Sequence, residues 1–273
     1  MPTNKSFWRR WLEGSKDKES IDSPTETSAG AGDPLEEGLK GLSWIESGKE
    51  AVTFLRRKAQ SLGEEIANSI THGVMAIFML GILPFAAILA YTRAPEGKET
   101  LDAFGVSVFI ISVFLMFLSS TIYHSMARAT KHKEVMHRID HIMIFVAIAG
   151  TYTPICLSVI GGAWGIGICI AQWALVLAGA LFKALAFSKS IQSYIFTITI
   201  YILMGWMGIL FFPKLWSTAN AATFWLIVAG GICYTVGVVS FAMKFKFNHM
   251  VWHFLVDFGA ICHLLAIIFF MRL

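Results

Sequence analysis

NHMVWHFLVDFGAICHLLAIIFF, residues 248–270, decides how the chain is read. The stretch is apolar and, as a helix, long enough to cross the hydrocarbon of a bilayer. It nevertheless opens with His249 and His253, four residues apart. A helix stacks that pair on one face, the arrangement that lets two imidazoles hold one metal ion. Ionisable groups inside a membrane segment are costly, and by default they mark function.

The rest of the chain suits the same setting. Of 273 residues, 56% are hydrophobic and only 15% charged, well below the quarter or so carried by a soluble domain. The apolar surplus comes in runs of about 20 residues, which predicts a polytopic membrane protein. Residues 1–65 hold ten Lys/Arg against twelve Asp/Glu, and the remainder twelve against six. The basic excess therefore belongs to the membrane part, where it sets orientation. No basic cluster interleaves with aromatics as a nucleic-acid surface requires, so no nucleic-acid partner is expected. Cys156, Cys169, Cys233 and Cys262 all fall inside apolar runs with neither zinc-finger nor redox spacing, and read as buried small hydrophobes. No signal peptide opens the chain, because Arg9 and Arg10 interrupt Phe7–Trp11 and no apolar region follows.

Residues 1–33 are rich in Ser, Thr, Gly, Asp and Lys and read as a disordered tail. Over 34–60, apolar residues from Leu35 to Leu55 recur at helical spacing among charges and end in Arg56, Arg57 and Lys58. That pattern predicts an amphipathic helix on the membrane surface. Residues 61–273 form the membrane domain, with seven apolar segments at about 66–91, 103–126, 139–160, 164–187, 191–212, 221–243 and 249–271. The 2–3, 4–5 and 6–7 loops carry most of the cations, among them Arg128, Lys131, Lys133, Arg138, Lys183, Lys189, Lys244 and Lys246. The positive-inside rule then puts the N-terminus in the cytoplasm and the C-terminus outside.

Topology sorts the polar residues. His249 and His253 open segment 7, Ser120 and His124 close segment 2, and Asp140 opens segment 3. All five share one depth near the cytoplasmic face. Three imidazoles make a Zn2+ site that keeps a fourth position open, as catalytic sites do. Ser120 stands one turn from His124 on the same face, placed to hydrogen-bond a water at the metal. Asp140 is placed to do the same or to act as general base. His263 lies about 21 Å of helix rise beyond His249 and cannot share that metal; it reads as a core hydrogen bonder. His132 and His137 read as loop residues, and His141 points about 100° away from Asp140. Asp257 is the deepest acid, one turn past His253. Its role is open between a partner for His253, a proton-handling group and a plain interhelical bond. Glu65, Asn68 and His72 fall on one face of segment 1, with Thr71 beside them, and read as a buried hydrogen-bond network stapling helix 1 to its neighbours rather than as ligands.

Glu65-x-x-Asn68-x-x-Thr71-His72, Ser120-x-x-x-His124, Asp140 and His249-x-x-x-His253 together resemble the signature set of the hemolysin III family. That family is the bacterial branch of the progestin and adipoQ receptor superfamily, which includes the adiponectin receptors. Gly150-Thr151-Tyr152-Thr153-Pro154 is similar to the same branch. The resemblance covers about residues 60–273. It implies an all-α, seven-transmembrane-helix bundle in the bacterial inner membrane, N-terminus inside, with a zinc ion near the cytoplasmic leaflet. It further implies His124, His249 and His253 as ligands, with Asp140 and Ser120 contacting the water at the zinc. Asp257 stands where an apolar residue is expected, so no role carries over to it.

The resemblance also reaches ceramide hydrolysis in eukaryotic relatives and the alkaline ceramidases of the wider superfamily. The leading expectation is therefore a zinc-dependent hydrolase of a membrane lipid amide or ester. A non-catalytic sensor or regulator of membrane lipid state is the alternative, prompted by the amphipathic segment. A pore-forming haemolysin, suggested by the family name, comes third. No segment carries a polar stripe through its full depth, which argues against a simple pore.

Overall fold

The computed structural model describes residues 60–128, 130–185, 191–243 and 245–270. The expected tail over 1–33 and, but for Gln60, the expected surface helix over 34–60 lie outside the described residues. The described secondary structure is all helical, with no strand among the described residues. The elements are α1 (Leu62–Arg93), α2 (Glu99–Ser125), α3 (Lys131–Pro154), α4 (Gly162–Leu185), α5 (Ile191–Trp206), α6 (Phe212–Thr218), α7 (Ala221–Ala242) and α8 (Asn248–Leu265). A π-helical turn extends α3 to Ile160, a 3-10 stretch joins α5 to α6, and a second π turn extends α8. Seven of the resulting helices are long and apolar enough to cross a membrane.

Two segments differ from the sequence reading. The third starts at Lys131 rather than near 139, because the Thr130 hydroxyl accepts from the Lys133 amide and caps the helix early. His132 and His137 are therefore helical, not loop residues. The fifth runs on past 212 to Thr218. Pro213 lacks an N–H and interrupts the ladder, and the chain crosses the break as a 3-10 stretch. Backbone groups freed there find partners: Tyr152 Oη donates to the Gly205 carbonyl (2.7 Å) and accepts from the Gly208 amide (2.6 Å). Gln172 Nε2 donates to the Met204 carbonyl at 2.9 Å. Without such partners a broken helix could not persist in lipid.

α1 shows how the bundle is turned. Ile66, Ile70, Val74 and Ile77 face outward, whereas Glu65, Asn68 and His72 are buried. At this end the helix is polar inward and apolar outward, as lipid solvation requires. Its start is fixed by a capping box: Ser61 Oγ accepts from the Glu64 amide, and the Glu64 carboxylate accepts from the Ser61 amide at 2.7 Å. The same carboxylate accepts from the Phe247 amide at 3.0 Å. Phe247 sits at φ 62, a left-handed conformation costly for a bulky side chain. The Glu64 bond helps hold that turn, and α8 begins one residue later, placing His249 beside the ends of α1 and α2.

Close helix approach rests on small residues. A Cβ on Gly165 of α4 would stand 2.2 Å from the Cys156 carbonyl oxygen, a backbone atom with no room to yield. Gly165→Ala is expected to destabilise the protein by about 3 kcal/mol, the scale of overpacking a tight contact. Thermal unfolding in detergent checks this, with Gly167→Ala, whose Cβ meets nothing within 4 Å, as the neutral control.

Candidate metal centre

The ends of α2 and α8 bring three imidazoles together. One nitrogen from each of His124, His249 and His253 lies within 4.8 Å of the other two. His124 and His253 are buried and His249 is half-buried. His124 Nε2 and His249 Nε2 are 3.2 Å apart. Two nitrogens bound to one tetrahedral ion at 2.0–2.1 Å stand roughly 3.3 Å apart, so the spacing suits a shared cation.

Neighbouring groups fix which nitrogens are free. His124 Nδ1 lies 2.8 Å from Glu65 Oε2. A carboxylate only accepts, so Nδ1 carries the proton and Nε2 keeps its lone pair for the cluster. Glu65 is held in turn by Lys133 Nζ at 2.9 Å, and that ammonium also donates to the Met126 carbonyl. His253 Nδ1 faces the Asn68 carbonyl at 3.2 Å and Thr71 Oγ1 at 3.1 Å. The Thr71 hydroxyl spends its proton on the Asn68 carbonyl. Both oxygens therefore accept from His253 Nδ1–H, which again leaves Nε2 as the free donor atom. A hydrogen-bonded far nitrogen that sets the tautomer is the usual support of a metal-binding histidine, and the rings of His124 and His253 both have it. The donor set fits zinc.

The remaining polar residues take distinct places. His72 stacks on His253, ring centroids 3.5 Å apart and planes 8° from parallel, and its Nε2 is 3.8 Å from Asp257 Oδ1. Asp257 thus faces His72, one ring removed from the cluster. The Asn68 side-chain amide turns away to Gln60 Oε1, at 3.1 Å, so Asn68 serves His253 through its backbone. His263 lies against the Ile227 carbonyl at 3.1 Å, apart from the cluster. Ser120 is buried and lines the cavity together with Asp140.

A cavity of about 210 Å³ opens beside the cluster. His249, His253, Ser120 and Asp140 line one part, and Val113, Ile155, Phe211, Phe212 and Val256 continue it as an apolar chamber. In the sequence Lys133 is a loop cation that nothing marks as the partner of Glu65, and Thr71 is only a neighbour of the polar stripe. The one signal for Lys133 was Glu65 itself, an acid in an apolar helix that needs a buried counter-charge.

Seven apolar helices with imidazoles from two of them meeting at one end define a multi-pass membrane protein with a candidate metal site. The profile of the family described as Haemolysin-III related matches residues 60–264. A hemolysin-3 homolog of Bacillus subtilis (strain 168) is 34% identical over 211 residues, covering 77% of this chain and 95% of the relative. Hemolysin-3 of Bacillus cereus is 33% identical over 217 residues, 79% of this chain and 95% of the relative. The chain belongs to the hemolysin III family.

Proposed function

We propose that this protein is a zinc-dependent hydrolase of a membrane lipid amide or ester. Its site would face the cytoplasmic leaflet of a bacterial inner membrane, N-terminus inside. One observation carries the reading: His249 and His253 of the histidine cluster share the wall of a cavity with Asp140 and Ser120, and that wall is otherwise mainly apolar. A polar reaction centre joined to a hydrocarbon-lined chamber suits a lipid with a scissile bond near its headgroup.

His124, His249 and His253 would hold the ion, and Glu65, Thr71 and the Asn68 carbonyl keep the first and last of these rings oriented. The chemistry a zinc ion supplies there is polarisation of a carbonyl and a lowered pKa for water. Asp140 takes the proton of the attacking water and returns it to the departing amine or alcohol, and the Ser120 hydroxyl orients that carboxylate. The apolar wall holds the acyl chain and keeps bulk water from the carbonyl.

The deep burial of His124 (3% exposed) and His253 (1%) favours a second reading, a metal that only staples α2 to α8 in a lipid-state regulator. Asp140→Asn separates the two. Lipid mass spectrometry of membranes holding wild-type or variant protein is expected to show cleavage products reduced roughly 10²–10⁴-fold in the variant. Zinc content is expected to stay unchanged. Identical lipid profiles with zinc bound in both proteins would leave the regulator.

A further inference from the structure

We propose that His137 and His141 form a second divalent-cation site in the wall of the cavity that His249 and His253 also line. The pair repeats the geometry of the cluster's own helical pair. His249 and His253 are four residues apart on α8, with ring centroids at 4.7 Å and planes at 59°. His137 and His141 are four apart on α3, with centroids at 4.4 Å and planes at 60°. Two imidazoles one helical turn apart can bite a single borderline cation such as Zn2+, with water completing the coordination.

Position supports the assignment. Both histidines line the cavity, as do His249 and His253. His137 is exposed, whereas the three-histidine cluster lies deeper. The Tyr123 ring stands between the two sets, 5.1 Å from His137 and 4.7 Å from His124. The pair is therefore a separate site rather than extra ligands for the first, and an ion arriving at exposed His137 meets it before the buried rings of His124 and His253. Capture there followed by transfer inward gives a buried site a loading route that a desolvated cation otherwise lacks. The second site stands on its own geometry. The loading role rests on the inner cluster also binding metal.

Carbethoxylation by diethyl pyrocarbonate, read by peptide mass spectrometry on full-length wild-type protein in nanodiscs, tests both without relying on a variant's folding. Stripped protein is compared with protein titrated with Zn2+ alone. Zinc is expected to protect His137 at higher concentration than it protects His249, and saturating zinc to reach about two ions per chain. In His137→Gln, the count is expected to fall to about one, with His249 still protected. His137 modified equally with and without zinc overturns the second site, whatever happens at His249. Protection of His137 without protection of His249 leaves the second site standing and removes both the loading role and the zinc enzyme proposed above.

Discussion

His253→Ala protein is expected to purify without zinc. Elemental analysis of the wild type is expected to give about one tightly held ion per chain, and the variant a small fraction of that. The effect should be near total because His253 does three things at once. It offers Nε2 to the cluster, its Nδ1–H ties α8 to the Asn68 carbonyl and Thr71 Oγ1 of α1, and its ring carries the stacked His72. Truncation removes a donor and takes from Thr71 Oγ1 the proton that His253 Nδ1 gives it, while the Asn68 carbonyl keeps the Thr71 hydroxyl. Because that also costs stability, His249→Ala is the companion variant. His249 is half-buried, its removal disturbs the core less, and it should lose the ion as completely. One zinc per chain retained in both variants would dissolve the proposed centre.

The parts of this arrangement differ in how far the sequence could disclose them. The seven crossings were legible because hydrocarbon thickness imposes a length and a composition on each. The one misjudged start, at α3, has a physical reason. Lys131–Arg138 is too polar to count as a membrane segment, yet Thr130 caps it and Lys133 finds Glu65 to bury its charge. Hydropathy registers transfer to lipid, and a polar helical turn packed on protein is invisible to it. That misjudgement is also what hid the spacing of His137 and His141. The meeting of His124 with His249 and His253 could be anticipated, since alternating helix direction puts the end of α2 level with the start of α8. The partners of those rings could not. Whether Asn68 serves by its side chain or its carbonyl depends on α1's rotation, and no spacing in the sequence fixes that. Asp257 shows the same limit: its position one turn past His253 was plain, but its facing His72 depends on how α1 packs against α8.

Glu65→Gln should weaken zinc binding about 10- to 100-fold, the usual cost of removing a carboxylate behind a metal-bound histidine. Glu65 is buried and lies between two donors, His124 Nδ1 at 2.8 Å and Lys133 Nζ at 2.9 Å. An amide is nearly the same size but has one accepting oxygen where two are needed, so its NH2 group must face either the imidazole N–H or the ammonium. Turned toward Lys133, it leaves a buried cation uncompensated, a change that costs about 3–5 kcal/mol in well-buried pairs. Turned toward His124, it favours the tautomer whose Nε2 carries the proton and cannot bind metal. Both outcomes lower apparent affinity, so zinc binding alone cannot say which one occurs. Adding Lys133→Met separates them. The double variant has no stranded ammonium, and thermal stability should return most of the way to wild type. His124 still lacks its carboxylate, and zinc affinity should remain low. Stability and affinity recovering together would mean that Glu65 acts only as the counter-ion of Lys133. Wild-type zinc affinity in the single variant would mean that the His124 ring is oriented by something other than Glu65, and the tautomer argument for the whole cluster would lose its first support.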